Sequence, residues 1–369
     1  MDAIGGLASD SRASLALKLA EGAIDRIELA MNDIDDSDGH CGDLLAQARD
    51  IHLTAARTAR PDPKEFAHGL FAREMGDSYD TFSRAVQRYA DVLGEEGLAE
   101  YRRLAAAAWD KLPSRVPERK EKYDYSGAYT TLANIRDYFA ERDGDTTARI
   151  ALRTKDLSAS WNSYQLAEFC LSNGRNEEAL KWAEEGLWLF EDGAVDQRLL
   201  FLVVKLLSEA GHTADAEAHL WRAFEKGPNL EIFKRLAELA GKVARERAVT
   251  FLEGRCSKEK ATQWHYPADL LVLVLIEENM FKAAWNAVRL YGASMGVRET
   301  LARKSEAEFT REAIDVYESR VAGLWKAGPT PLTSKPQNSS RIWQTCVTQP
   351  NKQPMSWISK RGLAANATL

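Results

Sequence analysis

Residues 33–43, DIDDSDGHCGD, hold the densest group of side chains that could bind a metal ion. Five aspartates stand beside His40 and Cys41 within these eleven positions. Carboxylate oxygens suit Ca²⁺ or Mg²⁺, whereas imidazole and thiolate suit Zn²⁺. Asp35, Asp36 and Asp38 are therefore candidate metal ligands, and they support the hypothesis of a metal-dependent enzyme or sensor.

The spacing of these residues fits no standard metal motif. A calcium loop of the EF-hand type needs oxygen ligands at positions 1, 3 and 5, glycine at 6 and glutamate at 12. With Gly39 at the glycine position, the first and last ligand positions fall on Ile34 and Leu45. His40 and Cys41 have no further zinc ligands at a useful spacing. We favour a turn in which Gly39 ends one helix and Gly42-Asp43 begins the next.

Other catalytic motifs are missing from the sequence. It contains no H-E-x-x-H, no nucleophile elbow, no glycine-rich phosphate loop and no Cys/His/Asp set at a recognisable spacing. The six histidines are interpreted as surface or partly packed residues. We therefore expect a protein without catalytic residues and without a cofactor.

Ten tryptophans are the other distinctive chemical feature. Five of them lie in the repeated region described below, at positions 161, 182, 188, 221 and 285. Large aromatic side chains bury much area, so packing between helices is the favoured interpretation. Aromatic residues also anchor partners at interfaces. Trp188, Trp221 and the neighbouring Arg222 are the candidate partner-binding residues.

The elements that position these side chains are predicted to be helices throughout. Apolar residues recur every three or four positions, as in Ala20, Ile24, Ile27 and Met31, and strand-like alternation is absent. Glycine and proline interrupt the helical pattern, for example at Pro61, Pro63 and Gly94. The predicted fold class is all-α.

Residues 160–228 contain two similar segments. Aligned on Gly174 and Gly211, they repeat at a spacing of 37 residues, and each has a helix ending at the glycine and another beginning within three residues. Small residues follow at equivalent positions, namely Ala179 and Gly186 in the first segment and Ala216 and Ala223 in the second. A third unit has Asn279 in place of the glycine and Ala284 at the small position. Small residues let two antiparallel helices approach closely.

This pattern resembles the tetratricopeptide repeat, whose unit has about 34 residues. The phrases IDDSDG (34–39), YADVLGEEGLAEYRRLA (89–105), EEALKWAEEGLWLF (177–190) and AEAHLWRAFEKGPNLE (216–231) also resemble a bacterial family of uncharacterised helical-repeat proteins. Relatives of this kind are often associated with a SWIM-type zinc finger. That finger requires C-x-C followed by C-x-H, and neither is present. The resemblance implies a right-handed α-α superhelix, a tetratricopeptide-like solenoid, and implies no activity.

Breaks in composition predict the domain organisation. We expect an N-terminal helical array at 1–112, a linker at 113–122 that reads PSRVPERKEK, helical repeats at 123–327 and an irregular tail at 328–369. From Ser319 to the end there is no Asp or Glu against seven Lys and Arg. The tail is interpreted either as disordered or as the product of a displaced reading frame.

Composition also narrows the functional classes. The net charge is −6, and residues 1–318 taken alone are more acidic than this. An acidic protein body is a poor general binder of phosphate backbones. Nucleic acid is therefore expected only as an alternative partner, bound through the basic tail. No apolar run could span a bilayer, and four scattered cysteines favour a reduced, cytoplasmic setting. We expect a non-catalytic scaffold or adaptor that binds a protein or peptide on the concave face of the solenoid. The oligomeric state is left open.

Overall fold

The computed structural model describes residues 1–9, 11–117, 127–259, 262 and 265–327. The predicted tail at 328–369 lies outside the described residues. Within them the chain is all-helical, with no strand and a single isolated bridge between Arg115 and Asp156, which confirms the predicted fold class. The chain divides into two compact units, Met1–Lys258 and Glu259–Leu369.

The described residues form seventeen helices. They are α1 Asp2–Gly5, α2 Ala13–Met31, α3 His40–Ala59, α4 Pro63–Gly76, α5 Ala85–Arg88, α6 Ala90–Lys111, α7 Ala128–Arg142, α8 Thr146–Arg153, α9 Ser160–Ser172, α10 Asn176–Leu189, α11 Gln197–Glu209, α12 Thr213–Lys226, α13 Leu230–Cys256, α14 Asp269–Glu277, α15 Phe281–Tyr291, α16 Met295–Ser305 and α17 Thr310–Ala327. Gly94 interrupts α6 and Gly241 interrupts α13, each with a positive φ, so both elements are two helices joined at a kink.

The core of the N-terminal helices depends on the apolar stripes seen in the sequence. α2 packs on α3 and α4 packs on α6. Ile24 of the α2 stripe is fully buried, together with Tyr89, Leu93 and Tyr101 around the Gly94 kink. The same core continues into α7 and α8, where Ile135, Phe139 and Leu152 are buried, so packing runs on beyond the predicted linker.

Four helical hairpins share one turn geometry. Gly144, Gly174, Gly211 and Asn279 follow the first helix of a pair with φ of 69°, 72°, 82° and 55°. The next residue donates its backbone N–H to a carbonyl five positions earlier, as from His212 to Leu207 at 2.8 Å and from Met280 to Leu275 at 2.8 Å. This is the Schellman bond that closes a helix end at a left-handed residue. The second helix therefore starts at once and folds back on the first.

Small residues set how closely these helices approach. Ala179, Ala216 and Ala284 have no exposed surface, and Ala223 is also buried. A Cβ placed on Gly186 would lie 2.6 Å from the Cβ of Ser163 on α9 and 3.0 Å from Leu199 on α11. α10 therefore contacts both of its neighbours at a point where only glycine fits.

In the described part of the chain, no helix combines enough length with enough apolar surface to cross a bilayer.

Candidate partner-binding site

The acidic stretch at 33–43 spans the turn between α2 and α3 and the first residues of α3. Gly39 has a φ of 75°, as expected for a left-handed turn residue. The Asp36 carboxylate accepts the backbone N–H groups of Cys41 at 2.9 Å and Gly42 at 3.2 Å. Asp35 accepts the N–H of Ser37 at 3.1 Å and also its hydroxyl. Two of the three candidate metal ligands therefore bind the chain's own donors, and Asp36 caps α3.

The electrostatics of the turn agree with this capping role. The backbone N–H of Cys41 holds the pKa of Asp36 below its ordinary value, and the Ser37 hydroxyl does the same for Asp35. Desolvation, with the nearby Asp36 charge, raises the pKa of the Cys41 thiol, which disfavours a thiolate ligand. Across the described ranges, no group of three or more His, Cys, Asp or Glu could hold a metal ion. The metal hypothesis for Asp35, Asp36 and Asp38 stays a prediction without structural support here.

A different site lies between α10, the start of α11 and α12, and we call it the Trp188 pocket. Its cavity has a volume of about 190 Å³. The apolar lining comes from Leu187, Leu199, Leu200 and Ala223, of which Leu199 and Leu200 belong to the buried first turn of α11. Asp196 fixes that turn, because its carboxylate accepts the N–H of Arg198 at 3.0 Å and the Ser160 hydroxyl at 2.7 Å.

Trp188 lies at the edge of this pocket near the end of α10. The residue is 65 % exposed, which makes it the most exposed tryptophan of the first unit among those that the structure describes. The Trp188 indole leaves a large apolar surface in contact with water, although it lies next to an apolar cavity. Other apolar residues of α10, such as Ala179 and Ala183, are buried. The arrangement is typical of an aromatic contact residue.

A basic stripe on α12 forms one side of the Trp188 pocket. His219, Arg222 and Lys226 line it, and their spacing of three and four residues puts them on one helix face. His219 faces Glu184 at 3.4 Å, and the Lys226 ammonium donates to the backbone carbonyl of Glu191. Arg222 is exposed and has no hydrogen-bond or ion-pair partner within the described ranges. The pocket therefore offers a free guanidinium next to an apolar cavity.

Trp221, the third residue predicted from the sequence, occupies a different position. It is only 5 % exposed, and its indole N–H donates to Glu217 at 3.1 Å. The guanidinium of Arg247 lies 3.9 Å from the centre of the Trp221 ring. The structure thus brings Trp188 and Arg222 to one pocket, whereas Trp221 packs away from it between α12 and α13.

Comparison with known protein families adds one finding. The model of the family of unknown function DUF6880 matches residues 11–264, more than half of the chain. The chain belongs to this family. A search of curated proteins gives no match. The DUF6880 match includes the acidic turn and the whole Trp188 pocket, so both are parts of the family region.

The DUF6880 region also contains a groove that the sequence analysis missed. It crosses α9, α11 and the first part of α13, with a volume of about 600 Å³. Tyr164 and Phe201 line it at equivalent repeat positions, 37 residues apart, and so do Arg198 and Arg235. The repeat spacing was the signal that could have found this groove. Its charges are balanced within the chain, because Arg198 pairs with Asp196 at 2.6 Å and Arg235 with Glu238 at 3.4 Å.

Proposed function

We propose that the chain is a non-catalytic scaffold or adaptor whose Trp188 pocket binds one bulky apolar side chain of a protein or peptide. The observation that carries this proposal is the exposed indole of Trp188 beside a partly open cavity with apolar side chains in its lining. Interfaces take most of their affinity from a few aromatic and arginine residues around a desolvated pocket. Trp188, Arg222 and the cavity supply these components within one small area.

The size of the cavity supports a side chain as the occupant. Small-molecule and cofactor pockets usually enclose roughly 300–1,000 Å³. The Trp188 pocket, at about 190 Å³, is smaller than this range. It suits a single large side chain of a partner, with Trp188 closing over that side chain on binding.

On the α12 side of the pocket, Arg222 and Lys226 indicate the neighbouring residue of the partner, whereas Glu184, Glu191 and Asp196 line the side of α10 and the start of α11. Arg222 has no acidic partner in the described part of the chain, and Lys226 binds only a backbone carbonyl. A carboxylate entering from the α12 side would gain charge-assisted hydrogen bonds that the free protein does not make. We therefore assign as partner a segment that carries an Asp or Glu next to its apolar anchor.

The arrangement of the repeats and the cellular setting are parts of the same proposal. The four hairpins with a shared turn, and the 37-residue spacing, support stacking of the repeats into a right-handed tetratricopeptide-like solenoid. In such a solenoid, successive hairpins present continuous surfaces to a partner. The thiols of Cys41 and Cys170, which form no disulfide, support a cytoplasmic setting.

Selection from a random peptide display library on the full-length chain tests the proposal. We expect the enriched peptides to share one large apolar residue next to an acidic one. Trp188→Ala should weaken their binding, measured by fluorescence polarisation, by about tenfold or more, which corresponds to about 1.4 kcal/mol. Arg222→Glu should shift the enriched neighbour from acidic to basic.

The matched control for Arg222→Glu is Lys242→Glu, because Lys242 is an exposed cation on α13 away from the pocket. This control should leave both affinity and peptide preference unchanged. Unchanged binding by Trp188→Ala would contradict the proposal, and so would a selection that enriches no common peptide.

A further inference from the structure

A polar cavity lies between α7, the end of α8 and α9, and we call it the Tyr129 cavity. Its volume is about 280 Å³. The buried residues Tyr129, Leu152 and Leu166 form its floor, and the exposed residues Asn134 and Gln165 stand at its rim. The cavity lies within the first compact unit and shares no lining residue with the pocket and the groove described above.

The hydroxyl of Tyr129 is a buried polar group without a partner. Tyr129 is 6 % exposed, and its hydroxyl oxygen has no hydrogen-bond partner within the part of the chain that the structure describes. The ring itself is fixed, because its centre lies 5.1 Å from that of Trp109 and 4.1 Å from the guanidinium of Arg115. A buried hydroxyl without a partner destabilises a fold, whereas a phenylalanine of the same shape would avoid that cost. The Tyr129 hydroxyl is therefore a group that a ligand can satisfy.

Asp156 lines the same cavity and lies close enough to Tyr129 for its charge to act on the hydroxyl. Burial, together with this charge, raises the pKa of Tyr129, so the hydroxyl keeps its proton and can donate it. The Asp156 Oδ1 accepts the N–H of Ser158 at 3.1 Å and its hydroxyl at 2.6 Å. The Oδ2 lies 3.5 Å from a nitrogen of the Arg115 guanidinium, which is a long contact. Oδ2 can therefore accept a further hydrogen bond at the end of the cavity where Tyr129 needs an acceptor.

The charges of the cavity are balanced within the chain. Asp137 pairs with Arg149 at 2.9 Å and with Arg153 at 2.6 Å. Asp156 pairs with Arg115 at 3.5 Å. A charged ligand would lose its hydration without meeting an unmatched opposite charge in the described lining, whereas a neutral ligand avoids that cost. The cavity therefore favours a neutral ligand.

Hydroxyl groups are the ligand chemistry that suits these partners. One hydroxyl can accept a hydrogen bond from Tyr129 through its oxygen and donate its own hydrogen to Asp156. Side-chain amides, which offer both donors and acceptors, are supplied to the lining by Asn134, Asn162 and Gln165. The volume of about 280 Å³ is close to the lower limit of small-molecule pockets, roughly 300 Å³. That volume suits a molecule of the size of a monosaccharide.

We propose that the Tyr129 cavity binds a neutral polyhydroxylated molecule, a monosaccharide or a cyclic polyol, with one hydroxyl held between Tyr129 and Asp156. The amides of the lining bind the remaining hydroxyls, and Leu152 and Leu166 contact the carbon skeleton. Binding supplies the hydrogen bond that Tyr129 lacks among the described residues. This inference is independent of the Trp188 pocket.

Ligand-observed saturation-transfer NMR on the full-length chain tests the site with D-glucose, D-mannose, D-ribose and myo-inositol as probes. At least one of them should show saturation transfer at millimolar concentration, and titration then gives its dissociation constant. D-glucuronate, which adds a carboxylate to the glucose ring, should bind more weakly than the best neutral probe. Absence of transfer to all four neutral probes overturns the proposal, and so does a preference for D-glucuronate.

Tyr129→Phe removes the hydroxyl and keeps the ring. It should raise the dissociation constant of the best probe by about tenfold or more, because the ligand loses its buried donor. It should not lower the midpoint of thermal unfolding, since it removes an unpaired polar group. Tyr138→Phe is the matched control, because Tyr138 lies on the same helix and does not line the cavity. This control should leave the dissociation constant unchanged.

Gln165→Ala changes an exposed residue at the rim, so it tests the site without disturbing the core. It should raise the dissociation constant of the best probe by about threefold to tenfold. Binding that neither Tyr129→Phe nor Gln165→Ala weakens would place the probe elsewhere and overturn the proposal. An equal loss in Tyr129→Phe and Tyr138→Phe would do the same.

Discussion

Two tryptophans, each on the second helix of a repeat hairpin, have opposite environments. Trp188 is exposed at the pocket, and Trp221 is buried against Phe224 and Arg247. We expect Trp221→Ala to lower the free energy of unfolding by about 3–5 kcal/mol, since it removes a buried aromatic side chain. Trp188→Ala should lower it by less than about 1 kcal/mol.

Chemical denaturation of the two variants checks this contrast, and peptide binding separates the roles further. Only Trp188→Ala should lose affinity at a temperature where both proteins are folded. Equal stability losses in the two variants would show that Trp188 is a packing residue and would remove it from the proposed site.

Glu74 is a buried carboxylate that should give stability a dependence on pH. Its oxygens accept the Tyr101 hydroxyl at 2.5 Å and the Ala85 backbone N–H at 3.1 Å. Burial outweighs these bonds and raises the pKa of Glu74 above the ordinary value of a glutamate. The folded state therefore keeps this proton at a pH where the unfolded chain has lost it. The contribution of Glu74 to stability is full below pH of about 4.5 and declines as pH rises through the folded pKa.

The variant Glu74→Gln tests this linkage because it stays neutral at every pH. The difference in unfolding free energy between Glu74→Gln and the wild-type chain should shift in favour of the variant as pH rises. Urea unfolding of both proteins from mildly acidic to neutral pH measures it. A difference that does not change with pH would contradict the assigned pKa shift.

The sequence predicted some residues of the site because their types alone are informative. Trp188 and Arg222 were selected as candidates for an interface, and the structure brings them to one pocket. Their exposure could not be predicted, because Trp188 and Trp221 both lie on the second helix of a hairpin, and the sequence does not show which side of that helix a neighbour covers. The burial of His52 was not predicted either. It was interpreted as a surface or partly packed residue, but it is fully buried, with its Nδ1 2.8 Å from the Tyr89 hydroxyl.

At the scale of single elements, the hairpin turns should be sensitive to loss of glycine. Gly211 has a φ of 82°, where a side chain is strained although the surrounding space is open. Gly211→Ala should lower the free energy of unfolding by roughly 1–2 kcal/mol. Gly69→Ala is the matched control, because Gly69 lies inside α4 with no neighbour within 4 Å and without a positive φ. It should raise stability by about 0.5–1 kcal/mol.

Thermal or chemical unfolding of the two alanine variants gives opposite signs if the turn geometry is correct. A stabilising effect of Gly211→Ala would show that this residue does not need the left-handed conformation in solution.

The hairpins were predictable where a clear turn residue separates the two helices. Gly174, Gly211 and Asn279 were aligned from the sequence, and all three have a positive φ. The pair α7 and α8 was missed, although Gly144 ends α7 with the same turn geometry. α8 has only eight residues, so its apolar pattern completes little more than two turns and gives a weak periodic signal.

At the scale of the whole molecule, the linker at 113–122 stays a prediction, and its part at 118–122 lies outside the described residues. At its start, the backbone of Arg115 pairs with Lys155 and Leu157, and the Arg115 guanidinium lies 4.1 Å from the centre of the Tyr129 ring. Prolines and charges end a helix, but they do not prevent the chain from packing on a neighbour. Whether a segment packs depends on contacts distant in sequence, which local patterns do not contain.

The division into two compact units at Lys258 gives a last prediction. The first unit holds the continuous N-terminal core, the groove and the whole Trp188 pocket. With 258 residues it is large enough to bury its own core. A chain ending at Lys258 should therefore unfold cooperatively, and it should bind the selected peptides with the affinity of the full-length chain. Loss of peptide binding with helix content intact would mean that the Trp188 pocket needs residues beyond 258, against the geometry of its lining.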